Sequence, residues 1–188
     1  MTEYRELEYA GEAWEYRVPK PLAAMFLGAA SRKSAKAGRK IDAIMGLLEH
    51  MLSDRSLDRM MERAQDHEDE FDTEHMAELV RRLCSEGSAR PYWVDSALSG
   101  VAVRQWPTIR GHLVAYGIAD PLRQLPTLYA LLDAVERMML ESMEKEADRE
   151  MYFIRTYAPP SGTSMTASTL PKGWSREDEL EAFRAARD

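Results

Sequence analysis

Hydrophobic and polar residues alternate at the start of the chain. Leu7 and Tyr9 are interleaved with Glu6 and Glu8, and beyond a glycine Trp14, Tyr16 and Val18 are interleaved with Glu15 and Arg17. Spacing of period two predicts a pair of half-buried strands. With Gly11-Glu12 as a two-residue turn, glycine supplying the positive φ of a type II′ geometry, Tyr9 is expected opposite Trp14 and Leu7 opposite Tyr16. The other face then sets Glu6 against Arg17 and Glu8 against Glu15. Pro19 and Pro21 end the strand. Two strands alone are marginal in water, so the Leu7/Tyr9/Trp14/Tyr16 face must lie on helices or add to a partner's sheet.

After this the period lengthens. Residues 21–30 predict a short apolar helix opened by Pro21. Ile41, Ile44, Met45, Leu48, Met51 and Leu52 then recur at steps of three and four, the signature of one helical face. A further segment, Leu57–Met61, follows Asp54 as its cap. Asp72 or Thr73 caps another helix with an apolar stripe of Met76, Leu79, Val80 and Leu83 running to Cys84. Ser85–Ala89 is the best internal boundary. Beyond it Pro91, Pro107, Pro121 and Pro126 each read as a helix start, because the amide that proline lacks would be unpaired there anyway. Gly117 reads as a left-handed stop and Asp120 as an N-cap. Trp93 and Trp106 are the expected core anchors of this stretch. From Leu128 to Ile154 apolar residues continue at helical spacing, enough for one long helix of roughly 30 residues and about 45 Å.

Residues 158–173 are rich in Pro, Ser, Thr and Gly with Lys172 as their one charge, a linker by composition. Residues 174–188 predict a short helix whose apolar contacts are Trp174, Leu180 and Phe183. About 12 residues do not hold a helix unaided, so it docks elsewhere or frays. The expected architecture is therefore mainly α: an N-terminal β-hairpin, a multi-helix array with one long helix, a flexible linker and a short C-terminal helix. The expected units are 1–89, 90–157, 158–173 and 174–188.

Composition narrows the function more by exclusion than by signature. The 188 residues are 45% hydrophobic and 30% charged with a net charge of −7, and the acidic excess is spread over both halves. That argues for a folded protein rather than a disordered one, and against a general affinity for phosphate backbones. Five basic residues do cluster at Arg32, Lys33, Lys36, Arg39 and Lys40, but no aromatic platform or recognition helix accompanies them. One cysteine, Cys84, permits no internal disulfide, and its place in an apolar stripe marks it as a small core residue. The polar, acidic first residues predict no secretory signal, and no apolar run is long enough to span a membrane. Twelve methionines suit adaptable core packing and also surfaces that accept a partner.

Catalytic motifs are missing. The chain carries no GxSxG, no glycine-rich phosphate loop, no HExxH and no CxxC. The cluster Asp66, Glu68, Asp69, Glu70 and Asp72, with His67 and His75 nearby, invites a cation, but its spacing is not that of an EF-hand and a solvated joint between helices accounts for it. No catalytic residue, metal site or cofactor is expected. Residues expected to be insufficiently covered by their own neighbours, and so candidates for partner binding, are Trp14, Tyr16, Trp174, Leu180 and Phe183, with core burial as the alternative.

Three stretches carry a family likeness: the opening LEYAGEAWEYRVPKPLAA, the segment from Arg90 to Leu140, and the Pro-rich linker with its short acidic terminal helix. On these the chain resembles the tail assembly chaperones of long-tailed, siphovirus-type bacteriophages of actinobacterial hosts. The resemblance implies a non-enzymatic assembly factor that holds the tape measure protein soluble and recruits tail tube protein to it. It also implies a short product and a long frameshifted one, this chain being the long form with its extension beginning near Pro91. Action in the host cytoplasm, absence from the mature virion, and a possible homo-oligomer follow, with no nucleic acid or membrane as partner. A structural head–tail or tail component, and a helical DNA-binding regulator acting through Ser31–Lys40, are the competing readings.

Overall fold

The computed structural model describes residues 4–32 and 34–159. Expectations for the rest of the linker and for Trp174, Leu180 and Phe183 fall outside the described residues. In order, the elements are strands β1 (Arg5–Tyr9) and β2 (Glu12–Tyr16), then helices α1 (Ala23–Ala30), α2 (Ala37–Met51), α3 (Asp54–Gln65), α4 (Thr73–Ser85), α5 (Tyr92–Arg104), α6 (Trp106–Ala115), α7 (Pro121–Gln124), α8 (Leu128–Glu141) and α9 (Glu146–Tyr157). The expected class, mainly α behind an antiparallel hairpin, is the observed one.

The hairpin differs from expectation in its register. Leu7 pairs with Trp14, Arg5 with Tyr16 and Tyr9 with Glu12. The turn is Ala10-Gly11, with φ of 52° and 78°. Positive φ at both central residues defines a type I′ turn, which seats the glycine second rather than first. Moving the turn by one residue slides the partners by two, so the apolar face survives unchanged. The outer edge of β2 is closed by the joint between α2 and α3: Arg17 N donates to Met51 O at 2.8 Å and Ser53 N to Glu15 O at 2.9 Å. Of the two ways to shelter a lone hairpin, the fold uses its own helices.

Helix boundaries follow local chemistry. Ser53 caps α3, its hydroxyl accepting from Ser56 N, so Asp54 is the first helical residue rather than the cap. Asp72 caps α4 and accepts from both Glu74 N and His75 N. At the end of α6, Ile118 N reaches Leu113 O and Gly117 N reaches Val114 O, with Gly117 at φ 88°. That is a Schellman stop, with the glycine where the sequence set it. Pro107 and Pro121 lie in the first turns of α6 and α7, and Pro91 is the residue before α5. Asp120 stands in the N-cap position of α7 without a side-chain cap bond. Pro126 precedes Thr127, and it is Thr127 that caps α8 by accepting from Ala130 N at 3.2 Å.

Two expectations about helical faces are corrected. Along α2 the buried residues are Ala43, Leu47, Leu48 and Met51, while Ile41 is exposed and Ile44 and Met45 only half-buried. The face turns because α2 is packed by α1 and by α4, not by one neighbour. The single long helix is two helices, α8 and α9, parted at Ser142–Lys145. Tyr152 and Tyr157 both donate to Glu136 Oε1, at 2.8 and 2.9 Å. In an unbroken helix, residues 136 and 152 would be about 24 Å apart along the axis. Those bonds require α9 to turn back on α8.

The most extensive helix contact is α1 against α5. Gly28 makes it possible, since a Cβ there would come within 2.9 Å of Ser99 O. One contiguous core runs from Trp14 in β2 through Leu27, Leu48, Leu79, Leu98 and Leu128 to Val135 in α8. Trp93 and Trp106 flank it half-buried instead of anchoring it.

Candidate interaction surface

The hairpin's aromatic face is inside the molecule. Trp14 and Tyr16 are 1% and 2% exposed. Trp14 stacks on Phe71 at 5.7 Å, and its Nε1–H donates to Tyr9 O at 2.9 Å. Phe71 in turn carries the Arg63 guanidinium 4.9 Å above its ring. Tyr16 lies beside Leu52, bridged through the backbone. For these two residues the structure shows the core burial that the sequence left as the alternative to partner contact. Leu7 and Tyr9 pack half-buried on the same core.

In the acidic joint before α4, Asp66, His67, Glu68, Glu70 and Asp72 are exposed, and Asp69 is half-buried and paired. Asp69 accepts two bonds from Arg63, at 2.6 and 2.9 Å, and one from Phe71 N. Those bonds hold its carboxyl down at about 2, the Arg63 contact being the main cause. Among the described residues no group of three His, Cys, Asp or Glu side chains is placed to hold a metal ion. Cys84 is fully enclosed beside Met51, and burial pushes its thiol up to about 12, the opposite of an activated nucleophile.

A polar cluster absent from the sequence reading joins three helices. Arg90 donates from Nε to Asp95 Oδ1 at 2.9 Å and from Nη1 to Glu136 Oε2 at 3.3 Å, and it also pairs with Asp133. Burial lowers the Arg90 guanidinium, but the bonds it donates to Asp95 and Asp133 more than reverse that and leave it above its ordinary range. Asp95 is fully buried; desolvation raises its carboxyl and Arg90 opposes the rise. The Tyr152 and Tyr157 phenols are raised first by burial and then by their bonds to Glu136, so both stay protonated as donors. Tyr129 ties the α4–α5 joint to α8, its hydroxyl 2.8 Å from Cys84 O and 3.1 Å from Glu86 O. The signal available in the sequence was Asp95, a lone charge inside the apolar run YWVDSALSGVAV.

The exposed apolar surface lies elsewhere. Leu22, the residue before α1, and Met25 on it are 45% and 47% exposed. They form one wall of a cleft of about 150 Å³ whose other walls are Ala102 and Val103 of α5, Trp106 of α6 and Leu131 of α8. The cleft exists because α1 carries apolar residues all round but is covered by α5 and α2 on part of its circumference only. A second apolar strip, Met151, Phe153 and Ile154, is exposed along α9. Among the described residues, no helix is long and apolar enough to cross a membrane.

Comparison with known proteins divides the chain in two. Residues 1–91 match a family described as phage tail assembly chaperone protein. Residues 101–188 match a family of unknown function. Neither the curated proteins nor the solved structures contain a match to the chain.

Proposed function

We propose that the chain is a non-enzymatic chaperone that binds the tape measure protein, keeps it soluble and helps bring tail tube subunits to it, since residues 1–91 match a family described as phage tail assembly chaperone protein. The family match is the observation that carries this reading. The cleft beside α1 supports it in kind. An exposed apolar cleft suits transient capture of helical clients.

The chain is the long of two translation products, in an actinobacterial host. Residues 1–89 are the shared module, 90–157 the helical extension, 158–173 the linker and 174–188 a docking segment with Trp174, Leu180 and Phe183 as contacts. In favour of a boundary near residue 90, one family match ends at residue 91 and the other begins at residue 101. The protein works in the host cytoplasm and leaves before the virion is complete.

Co-expression with the long coiled-coil protein encoded just downstream is the test. The client should move from the pellet to the supernatant when this chain is present. Unchanged client solubility ends the proposal. The two-product reading is checked on the coding DNA, where a slippery heptamer and a change of frame belong near codons 84–90.

A further inference from the structure

The hairpin is closed along one edge only. Glu15 turns its main chain outward from β2, its N–H donating to Ser56 Oγ at 2.8 Å and its carbonyl accepting from Ser53 N at 2.9 Å. Glu6 stands directly opposite Glu15 in the register, so its own N–H and C=O point away on the far side, and by the period of two so do those of Glu8. Among the described residues, no backbone hydrogen bond from outside the hairpin reaches these groups. β1 is therefore an open edge, five residues long.

The two faces of that edge differ in charge. The solvent face carries Glu6, Glu8 and Glu15, with Glu6 set against Glu15, a like-charge pair that is unfavourable unless a cation joins it. Among the described residues none of the three makes an ion pair, and the Glu15 carboxylate accepts from the Ser53 hydroxyl at 2.9 Å. Arg17, the next residue on that face, is turned away to His50 O at 2.6 Å. On the core side, an open groove of about 420 Å³ lies between Tyr9 and α4, lined by Glu74, His75, Ala77, Glu78 and Arg81. Most of its charges are matched within α4 and its cap: Glu78 accepts from Arg82 at 3.0 Å and pairs with Arg81, and His75 is bonded to Asp72. A neighbouring strand would meet the Tyr9 ring and Ala77 there.

Charge also selects the occupant. A second copy pairing edge to edge would bring another Glu6 and Glu8 onto a face that already holds three carboxylates, so a cationic strand fits where a copy of this chain does not.

We propose that the β1 edge is a strand-addition site, and that its ligand is an extended segment of a partner protein in which Lys or Arg alternates with apolar residues. Main-chain bonds to Glu6 and Glu8 hold the segment, its basic residues lie over the carboxylates, and its apolar ones face Tyr9 and the groove beside α4. The inference goes beyond the chaperone reading and stands without it, on a surface separate from the cleft beside α1.

The test uses the full chain and two short capped peptides, one alternating Lys with Val and one alternating Glu with Val. Fluorescence anisotropy should show the Lys peptide binding about tenfold more tightly, with the gap narrowing as salt rises. Glu8→Lys, at an exposed position, should reverse that preference. Glu8→Pro removes an outward N–H without touching the ladder to β2, and should weaken the Lys peptide about tenfold. In the unaltered protein, the bound Lys peptide should slow amide exchange at Glu6 and Glu8 about tenfold, because both N–H groups are then paired. Equal affinity for the two peptides, or unchanged exchange at Glu6 and Glu8, overturns the site. Full binding by a Glu8→Pro chain that melts like the wild type overturns it as well. If Glu8→Pro lowers the thermal melt, the exchange measurement on the unaltered protein decides alone. Self-association that Glu8→Pro abolishes, with no peptide bound, overturns the proposal in favour of a second copy of the chain.

Discussion

Gly28 is the residue on which the tightest helix contact depends. A side chain there meets backbone, Ser99 O at 2.9 Å, and not the yielding tip of a neighbour. Gly28→Val is therefore expected to cost about 1–3 kcal/mol by forcing α1 off α5. For a protein of this size, that is a fall in Tm of roughly 3–10 °C by circular dichroism. Gly38 has nothing within 4 Å, and Gly38→Ala should hold or raise the Tm, by no more than about 1 kcal/mol. Asp69 supplies a prediction in pH. Its carboxyl is held at about 2, below the ordinary carboxylate range, so its contribution to stability is complete above pH 4 and lost as pH falls toward 2. Asp69→Asn should melt lower than the wild type at pH 6, and the two should converge near pH 2.

At the scale of elements, α9 is held by side chains rather than by helix continuity. Two phenols on one carboxylate oxygen, backed by Arg90, fix it against α8 and α5. Tyr152→Phe removes a hydrogen bond to a charged acceptor, worth about 1.5–3 kcal/mol. Hydrogen exchange should then speed up along 146–157 while α2 and α4 keep their protection; uniform acceleration across the chain would refute a local latch. This also explains where the sequence misled. The apolar spacing from Leu128 to Ile154 is continuous, and nothing local between Ser142 and Lys145 has the force of a proline or glycine break. The fold-back is decided by Glu136 and its two tyrosines, partners 16 and 21 residues away. Strong local chemistry was legible by contrast: Gly117, Asp72 and the prolines mark boundaries because caps and stops act within one turn. The hairpin was half legible. Alternation fixes which residues share a face, but the choice between type I′ and II′ is not decided by one glycine flanked by Ala10 and Glu12. Between partner contact and core burial the sequence left Trp14 and Tyr16 open, because amphipathicity shows which face is covered and not by whom. The cleft was invisible because its walls come from five helices.

For the whole molecule, the division between the two family matches runs through a continuous core. α1 presents Ala23, Ala24, Leu27 and Gly28 as buried residues, and its principal cover is α5, which begins at Tyr92. A fragment ending at residue 91 keeps α1 and loses that cover. It should bind a hydrophobic dye more strongly than the full chain and sediment as an oligomer, with the uncovered α1 face as the contact. A monomeric, cooperatively melting fragment that binds no dye would mean that residues 1–91 repack without α5.

The hydrogen bond from Leu128 N to Pro19 O, at 2.7 Å, joins residues more than a hundred positions apart. During synthesis at about 5–20 residues per second, the hairpin emerges several seconds, and up to about 20 s, before α8 arrives to complete that bond. Through that interval α1 waits for α5 as well. Each newly made copy therefore passes through a timed stage in which its central helix is open to whatever lies near the ribosome.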